Sequence, residues 1–410
     1  MNTGKTVIKE LNNNIRFGLK WILISIVLGS VCGVVGAAFH HAIDYVTHIR
    51  LQNSFLIWLM PLGGMLIVFL YHSVGLNNEP GTNTIIQSVR QQDKVPRRLF
   101  PAIFAATVIT HLVGGSSGRE GAALQIGGSL ATTFGRAMKA EQKEMSIYIM
   151  CGMAAVFAAL FGTPLTATIF SMEVISVGVF YYSALVAFFT AQLLGCHSVH
   201  YSLEAVMKVD PKSFVMLLAF SFVIAVVSIF FVLAMHKSHK LFHKYFHNPY
   251  IRVIAGSAML IVLVLIFGTD YLGAGMEAVD KSIYGESLVP YAFLLKIIFT
   301  AITIGCGFKG GEIVPTFFIG ATLGYTICTV IAIDPHLGAA LGIVGLFCCV
   351  VNSPITSLIL GVEIFGAANL IPMAIVVAFC YVLSGYFSLY SAQKFVYSKT
   401  SAEFINKDAM

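Results

Sequence analysis

From Trp21 to about Val46 the chain carries one formal charge, Asp44, and is otherwise apolar or small. A stretch of that length spans a bilayer as a helix. Further apolar stretches run from about Phe55 to Val74, Phe100 to Val113, Ile147 to Ile175, Phe180 to Leu194, Val215 to Met235 and Val253 to Phe267. Ala292 to Gly305, Glu312 to Ile333, Leu337 to Phe365 and Ile371 to Tyr390 complete the set. Only 11% of the 410 residues are charged and 57% are hydrophobic, whereas a soluble domain carries about 25% charged residues. No soluble fold of this length covers so much apolar surface, so the sequence predicts an all-α polytopic membrane protein.

Charge then sets topology. The net charge of +6 is a membrane-orientation signal and does not point to nucleic acid. Lys5, Lys9, Arg16 and Lys20 flank the first span and place the N-terminus in the cytoplasm, because cytoplasmic loops concentrate Lys and Arg. Arg90, Lys94, Arg97 and Arg98 form one basic loop, and Arg136, Lys139 and Lys143 a second. The polar segment Met1 to Phe17, with no small-residue cleavage site after the first span, predicts no cleaved signal peptide. The polar C-terminal residues predict a short cytoplasmic tail with no appended domain. The eight cysteines all fall in apolar stretches without CxxC spacing and read as small buried hydrophobes.

Two of the longest stretches are broken by proline, at Gly162-Thr163-Pro164 and at Asn352-Ser353-Pro354. In lipid a broken helix is tolerated where the freed backbone groups line a protein interior. The two breaks belong to a repeat. Phe157, Pro164, Thr166 and Glu173 recur as Phe347, Pro354, Thr356 and Glu363, each 190 positions later. Ile126-Gly127 recurs as Ile319-Gly320 at 193 positions, which aligns Gly118-Arg119-Glu120 with Gly311-Glu312-Ile313. Gly81-Thr82-Asn83 has a counterpart in Gly275-Met276-Glu277. One transmembrane domain built of repeats at 20–200 and 212–395 is expected, the pattern of transporters that bind substrate near the bilayer midplane.

The run Gly114 to Gly128 holds one acidic side chain, Glu120. Glycine lets a backbone turn sharply and approach a ligand closely, and the helix start that follows attracts anions. A carboxylate there competes with a bound anion.

These residues resemble the CLC family of chloride channels and anion/proton antiporters. Gly118-Arg119-Glu120-Gly121 is similar to that family's Gly-Arg-Glu-Gly-Pro motif, with Ala122 in place of proline. Gly310-Gly311-Glu312-Ile313-Val314-Pro315 is similar to its Gly-x-Phe-x-Pro region, and Leu389-Tyr390-Ser391-Ala392 to the segment carrying its anion-contacting tyrosine. The likeness runs from about Lys20 to Gln393. It implies an inverted repeat of tilted and broken helices, and a homodimer with one pathway per subunit. It also implies a gating glutamate at Glu120, an anion site lined by the Glu312 and Ile313 amides, and a hydroxyl or ring edge from Tyr390; Gly118, Arg119, Gly121, Thr82, Asn83 and Phe317 are the further expected anion contacts.

The departures point to a branch. The family's Gly-Ser-Gly-Ile-Pro motif is absent, with Gly81-Thr82-Asn83 in its region. The second of its paired inner glutamates falls at Val174, and Glu312 adds a carboxyl where common chloride members are apolar. This combination resembles the fluoride-selective branch, which exports fluoride from bacteria in exchange for protons. A bacterial-type inner membrane, cytoplasmic termini and no cofactor follow; the alternative is a chloride channel or chloride/proton antiporter.

An intramembrane carboxyl is expensive unless neutral, paired or functional. Burial disfavours the charged form of a carboxyl, so one in Glu120's position could exchange protons near neutral pH, blocking the site when ionised and withdrawing when protonated. Glu312 reads as a second proton relay or as a helix-start residue favoured by the dipole. Glu173 and Glu363 read as structural, Arg119 as a partner for carbonyls or acids, and Phe317 and Phe318 as ring edges or core packing. His236, His239, His243 and His247 have metal-compatible spacing, although a basic helix end at the lipid surface is the preferred account. Gly114-Gly115-Ser116-Ser117-Gly118 fits a hydrolase's Gly-x-Ser-x-Gly with His111 nearby, a reading in which the repeat has no role.

Overall fold

The computed structural model describes residues 2–77, 79–91, 95–175, 181–285, 289–331 and 333–410. Asn78, Lys94 and Phe180, read above as part of a polar break, part of a basic loop and the start of an apolar stretch, lie outside the described residues.

The first half comprises α1 (Asn2–Gln52), a 3-10 turn (Ser54–Leu59), α2 (Met60–Ser73), α3 (Thr82–Gln91), α4 (Leu99–Leu112), α5 (Glu120–Ala137), α6 (Gln142–Phe161), α7 (Pro164–Ile175) and α8 (Tyr181–Leu193). The second repeats the order with α9 (Pro211–Tyr245), α10 (Pro249–Phe267), α11 (Met276–Tyr284), α12 (Ala292–Cys306), α13 (Ile313–Ile331), α14 (Pro335–Val351), α15 (Pro354–Phe365) and α16 (Leu370–Leu383). α5 and α13 start 193 residues apart, as do α6 and α14. Six helical segments among the described residues are long and apolar enough to cross a membrane, and shorter apolar helices fill the spaces between them. The polar N-terminal residues do not stand apart from the first span. They extend it, so that α1 is helical from Asn2 onward.

The breaks use the residues that local chemistry favours. Gly162 ends α6 at φ 68° and Asn352 ends α14 at φ 51°, both in the left-handed conformation that Gly and Asn adopt most easily. Proline then opens α7 and α15, where its missing N–H costs nothing.

Each broken helix is capped from the opposite half. Glu173 of α7 accepts hydrogen bonds from Ile355 N at 3.1 Å, Thr356 N at 2.7 Å and Thr356 Oγ1 at the start of α15. Glu363 of α15 accepts from Leu165 N at 3.1 Å, Thr166 N at 2.9 Å and Thr166 Oγ1 at the start of α7. The two glutamates are structural, and their reciprocity stitches the repeats together. A carboxylate at a helix N-terminus satisfies otherwise unpaired N–H groups and complements the dipole.

Small residues bring the inner helices close. A Cβ on Gly127 of α5 would lie 2.1 Å from Gly152 O of α6, and one on Gly320 of α13 would lie 2.5 Å from Gly342 O of α14. Such backbone approach is how helices pack where lipid offers no hydrophobic driving force.

The C-terminal residues form a β-hairpin, the one sheet among the described residues and an exception to the all-helical expectation. β1 (Lys394–Tyr397) pairs antiparallel with β2 (Phe404–Asp408). The tip residue Lys399 reaches Asn352 Oδ1 and, at 2.8 Å, Tyr381 O. Its ammonium also lies 4.0 Å from the centre of the Tyr381 ring. A cation there meets the carbonyl-rich ends of α14 and α16.

Candidate functional site

The two glycine runs meet in the middle of the fold. Gly118 N donates to Gly311 O at 2.6 Å, and Gly311 N donates to Gly118 O at 2.7 Å. This bridge joins residues aligned by the repeat and sets the starts of α5 and α13 side by side. No side chain separates them, since a Cβ on Gly311 would lie 2.5 Å from Gly121 N and 3.0 Å from Glu120 N.

Glu120 is the first residue of α5 and is 1% exposed. Its carboxylate folds back into the cradle between the helix starts. Arg119 N donates to Oε2 at 2.9 Å, and the amides of Glu120 itself and of Val314, in the first turn of α13, lie close to this carboxylate. A carboxylate therefore sits where the two helix starts meet, one from each repeat. Gly118 makes the fold-back possible: a Cβ there would lie 2.3 Å from Glu120 Oε2.

The remaining predicted residues divide into those near the cradle and those engaged elsewhere. Thr82 opens α3 directly after Gly81, whose φ is 72°, and its hydroxyl donates to Gly121 O at 3.3 Å. Ile313 is fully buried at the start of α13. Tyr390 is 2% exposed and interacts electrostatically with both Glu120 and Glu312, while its hydroxyl has no hydrogen-bond partner. An orphaned buried hydroxyl beside an amide cradle suits a ligand with acceptor character. Glu312, half-buried, immediately precedes α13 and interacts with Glu120 and Lys309.

Four expected anion contacts are differently employed. The Gly118 amide is consumed by the bridge to Gly311. Arg119 turns its guanidinium outward, with Nη1 2.9 Å from Asp44 Oδ1 of α1, and Asp44 also meets His40 Nε2 at 3.0 Å. Asn83 Oδ1 accepts from Ala392 N at 3.0 Å, so Asn83 anchors the Tyr390 segment. Phe317 packs edge-on between Phe161 and Phe347, each ring centre 5.8 Å away. Gly121 serves by lacking a side chain, since its Cβ would sit 3.1 Å from Gly311 Cα. Phe318 lies under the Lys296 ammonium at 5.1 Å.

Sequence reasoning missed Val314, whose amide completes the cradle, although its place in the first turn of a helix was a usable signal. It also missed the supports of Tyr390. Ser388 Oγ accepts from Tyr390 N at 3.1 Å, and Gln393 Nε2 donates to Val351 O at 3.0 Å. The serine-hydrolase geometry does not form. Ser116 Oγ bonds Thr300 Oγ1 at 3.0 Å, and the buried His111 Nε2 has no hydrogen-bond partner among the described residues. On α9, the His239 and His243 ring centres lie 4.3 Å apart with the rings tilted by 34°, and His243 Nδ1 meets the Arg252 guanidinium at 2.9 Å.

Comparison with known proteins bears on what this cradle serves. Residues 63–385 match the family described as Voltage gated chloride channel. A chloride/fluoride channel protein of Pseudomonas syringae pv. tomato is 31% identical over 397 residues, covering 93% of this chain and 87% of that protein. The crystal structure of a CLC-type fluoride/proton antiporter superposes with a TM-score of 0.88 at 31% identity, over 92% of this chain and 98% of that one. A slow cyanobacterial Cl−/H+ antiporter shares the fold at a TM-score of 0.71 and 21% identity, over 88% of this chain and 93% of that one.

Proposed function

This chain belongs to the voltage gated chloride channel (CLC) family, whose members transport anions across membranes and are not enzymes, and on that premise we propose that it exports fluoride in exchange for protons. The observation that carries the proposal is the Glu120 carboxylate in an amide cradle drawn from both repeats. An ionised carboxylate and a small anion compete for the same donors. Protonation removes the negative charge, and with it the charge-assisted part of those bonds, which is about half their strength. The neutral side chain then leaves, and the anion takes its place. Proton binding and anion binding thus become successive states of one site. Glu312, within electrostatic reach of Glu120, is the next proton acceptor on the inner side.

Fluoride fits the donor chemistry. It is small and strongly hydrated, so a site must replace water with close N–H and O–H donors. The backbone amides at the starts of α5 and α13 and the partnerless Tyr390 hydroxyl are donors of this kind. The protein is further proposed to act as a homodimer in a bacterial inner membrane, with both termini in the cytoplasm. The rival reading is a chloride channel or chloride/proton antiporter. It draws on the likeness to a chloride/fluoride channel protein and, for the fold, to a Cl−/H+ antiporter.

Purified protein in liposomes, followed with a fluoride electrode, a chloride electrode and a pH probe, separates these readings. Fluoride efflux is expected to draw protons in and to outrun chloride efflux, and Glu120→Gln is expected to abolish proton coupling. Chloride leaving as fast as fluoride overturns the substrate. Intact coupling in Glu120→Gln overturns the role of Glu120.

A further inference from the structure

A proton that reaches Glu312 still has to leave the protein on the face that bears the basic loop. The route through a second inner glutamate is closed. Val174 is apolar and buried, and Glu173 beside it is committed to the start of α15. A different set of groups connects Glu312 to that face. Lys309, half-buried three residues earlier, interacts electrostatically with Glu312 and with Glu79. Its ammonium lies 4.6 Å from the centre of the Tyr71 ring. Tyr71 is 5% exposed, interacts with Glu79, and has no partner for its hydroxyl. Glu79 is half-buried in the loop between α2 and α3, and Val74 at the start of that loop bonds Arg98 of the basic loop through its carbonyl at 3.4 Å.

We propose that Tyr71, Glu79 and Lys309 form the inner proton relay of this protein, taking the proton from Glu312 and delivering it to water at the loop between α2 and α3. This rests on the antiport reading given above. In the step, protonated Glu312 loses its proton to a water held by the Tyr71 hydroxyl, and that water passes a proton to the Glu79 carboxylate. One carboxyl becomes a carboxylate and one carboxylate becomes a carboxyl, so no net charge is created inside the protein. Lys309 faces both acids and stabilises whichever of them is ionised at that moment. The other charged or titratable groups interacting with Lys309 or its neighbours are Arg252 on α10 and His239 and His243 on α9. The buried Tyr71 hydroxyl supplies the independent sign of a wet path, since a buried polar group without a protein partner is ordinarily satisfied by water.

Glu79 also has a structural duty, which the test must separate from the relay. Its carboxylate accepts from Gly81 N at 2.9 Å and from Thr84 Oγ1 at 2.5 Å, just before and within the first turns of α3. Glu79→Gln preserves shape and one acceptor oxygen while removing the ionisable group. Thr84→Ala removes a loop bond and keeps the carboxylate. Fluoride and proton fluxes are measured together in liposomes for wild type, Glu79→Gln, Tyr71→Phe and Thr84→Ala. The relay predicts a proton-to-fluoride flux ratio at least tenfold lower in Glu79→Gln, a smaller loss in Tyr71→Phe, and an unchanged ratio in Thr84→Ala. A wild-type ratio in Glu79→Gln overturns the relay alone, and so does an equal loss in Thr84→Ala, which marks a merely structural role. Wild-type protein that moves fluoride without protons overturns the antiport reading and the relay with it.

Discussion

Replacing Gly118 with alanine tests the fold-back of Glu120 without touching the glutamate. The new Cβ would stand 2.3 Å from Glu120 Oε2, and contacts under 3.0 Å are essentially never seen, so that oxygen must retreat by at least 0.7 Å, the difference of the two. Its bond from Arg119 N, now 2.9 Å, then stretches beyond the roughly 3.2 Å limit of a good N–H···O bond. A hydrogen bond to a charged group contributes about 1.5–3 kcal/mol. A loss of about 2 kcal/mol by the competitor corresponds to a roughly 30-fold gain for an anion seeking the same donors. Gly118 does not lie at positive φ, so alanine suits the backbone, although contacts of 3.1 Å to Val314 Cβ and 3.2 Å to Pro315 Cδ require small adjustments. Fluoride titration of detergent-solubilised protein by calorimetry, in both wild-type and Glu120→Gln backgrounds, gives the answer as a double-mutant cycle. The expected result is tighter fluoride binding in Gly118→Ala and little further effect once Glu120 is already neutral. The same gain in both backgrounds, or no gain in either, refutes the idea that Glu120 and the anion share one cradle.

Tyr390→Phe removes a hydroxyl that has no protein partner; thermal stability is expected to hold while fluoride affinity falls by about the tenfold that one neutral hydrogen bond represents, read by the same titration. Glu173→Ala and Glu363→Ala each strand three donors at a helix start; because both carboxylates are half-buried, the expected loss is about 2–4 kcal/mol apiece, visible as a lower melting temperature in detergent. Lys399→Met leaves the ends of α14 and α16 without their cation and is expected to free the hairpin, which limited proteolysis detects as earlier cleavage between β1 and β2.

The sequence was most legible where chemistry is local. Pro164 and Pro354 announced the breaks, and Gly114 to Gly128 announced a helix start with an acid in it. The Gly118 and Gly311 alignment foretold a pair that the structure joins by two backbone hydrogen bonds. What stayed hidden depends on contacts across the repeats. Glu173 and Glu363 could be assigned a structural duty, but their partners lie 183 and 197 positions away, and nothing near either glutamate in sequence indicates them. Arg119 and Asn83 stood among the expected anion contacts, although Arg119 also read as a partner for an acid. Their side chains are drawn off by Asp44 on α1 and by the Ala392 amide, neither of which a motif can reveal. The hairpin escaped notice because a two-stranded ribbon on the surface needs no strongly apolar face, and Phe404 and Tyr397 remain exposed in it.

Symmetry separates what the repeat builds from what it leaves to one side. Where both halves need the same service, they keep the same residue: Glu173 and Glu363 each cap the other's helix, and Gly118 and Gly311 bridge as equals. The positions around the cradle diverge instead. Glu120 corresponds to Ile313, Arg119 to Glu312 and Thr82 to Met276. A glutamate at 313 as well as at 120 would set two carboxylates against one donor set, and like charges so close cannot both ionise. An apolar residue at both positions would leave an anion cradle that nothing closes. On the proposed mechanism, one acid facing a duplicated cradle lets a single proton decide occupancy, which requires the two halves to have diverged at this position. The same argument explains why the proposed relay lies on one side only. Lys309 and Glu312 precede α13, while their counterparts by position, Ser116 and Arg119, precede α5 with no second acid between them and Glu120.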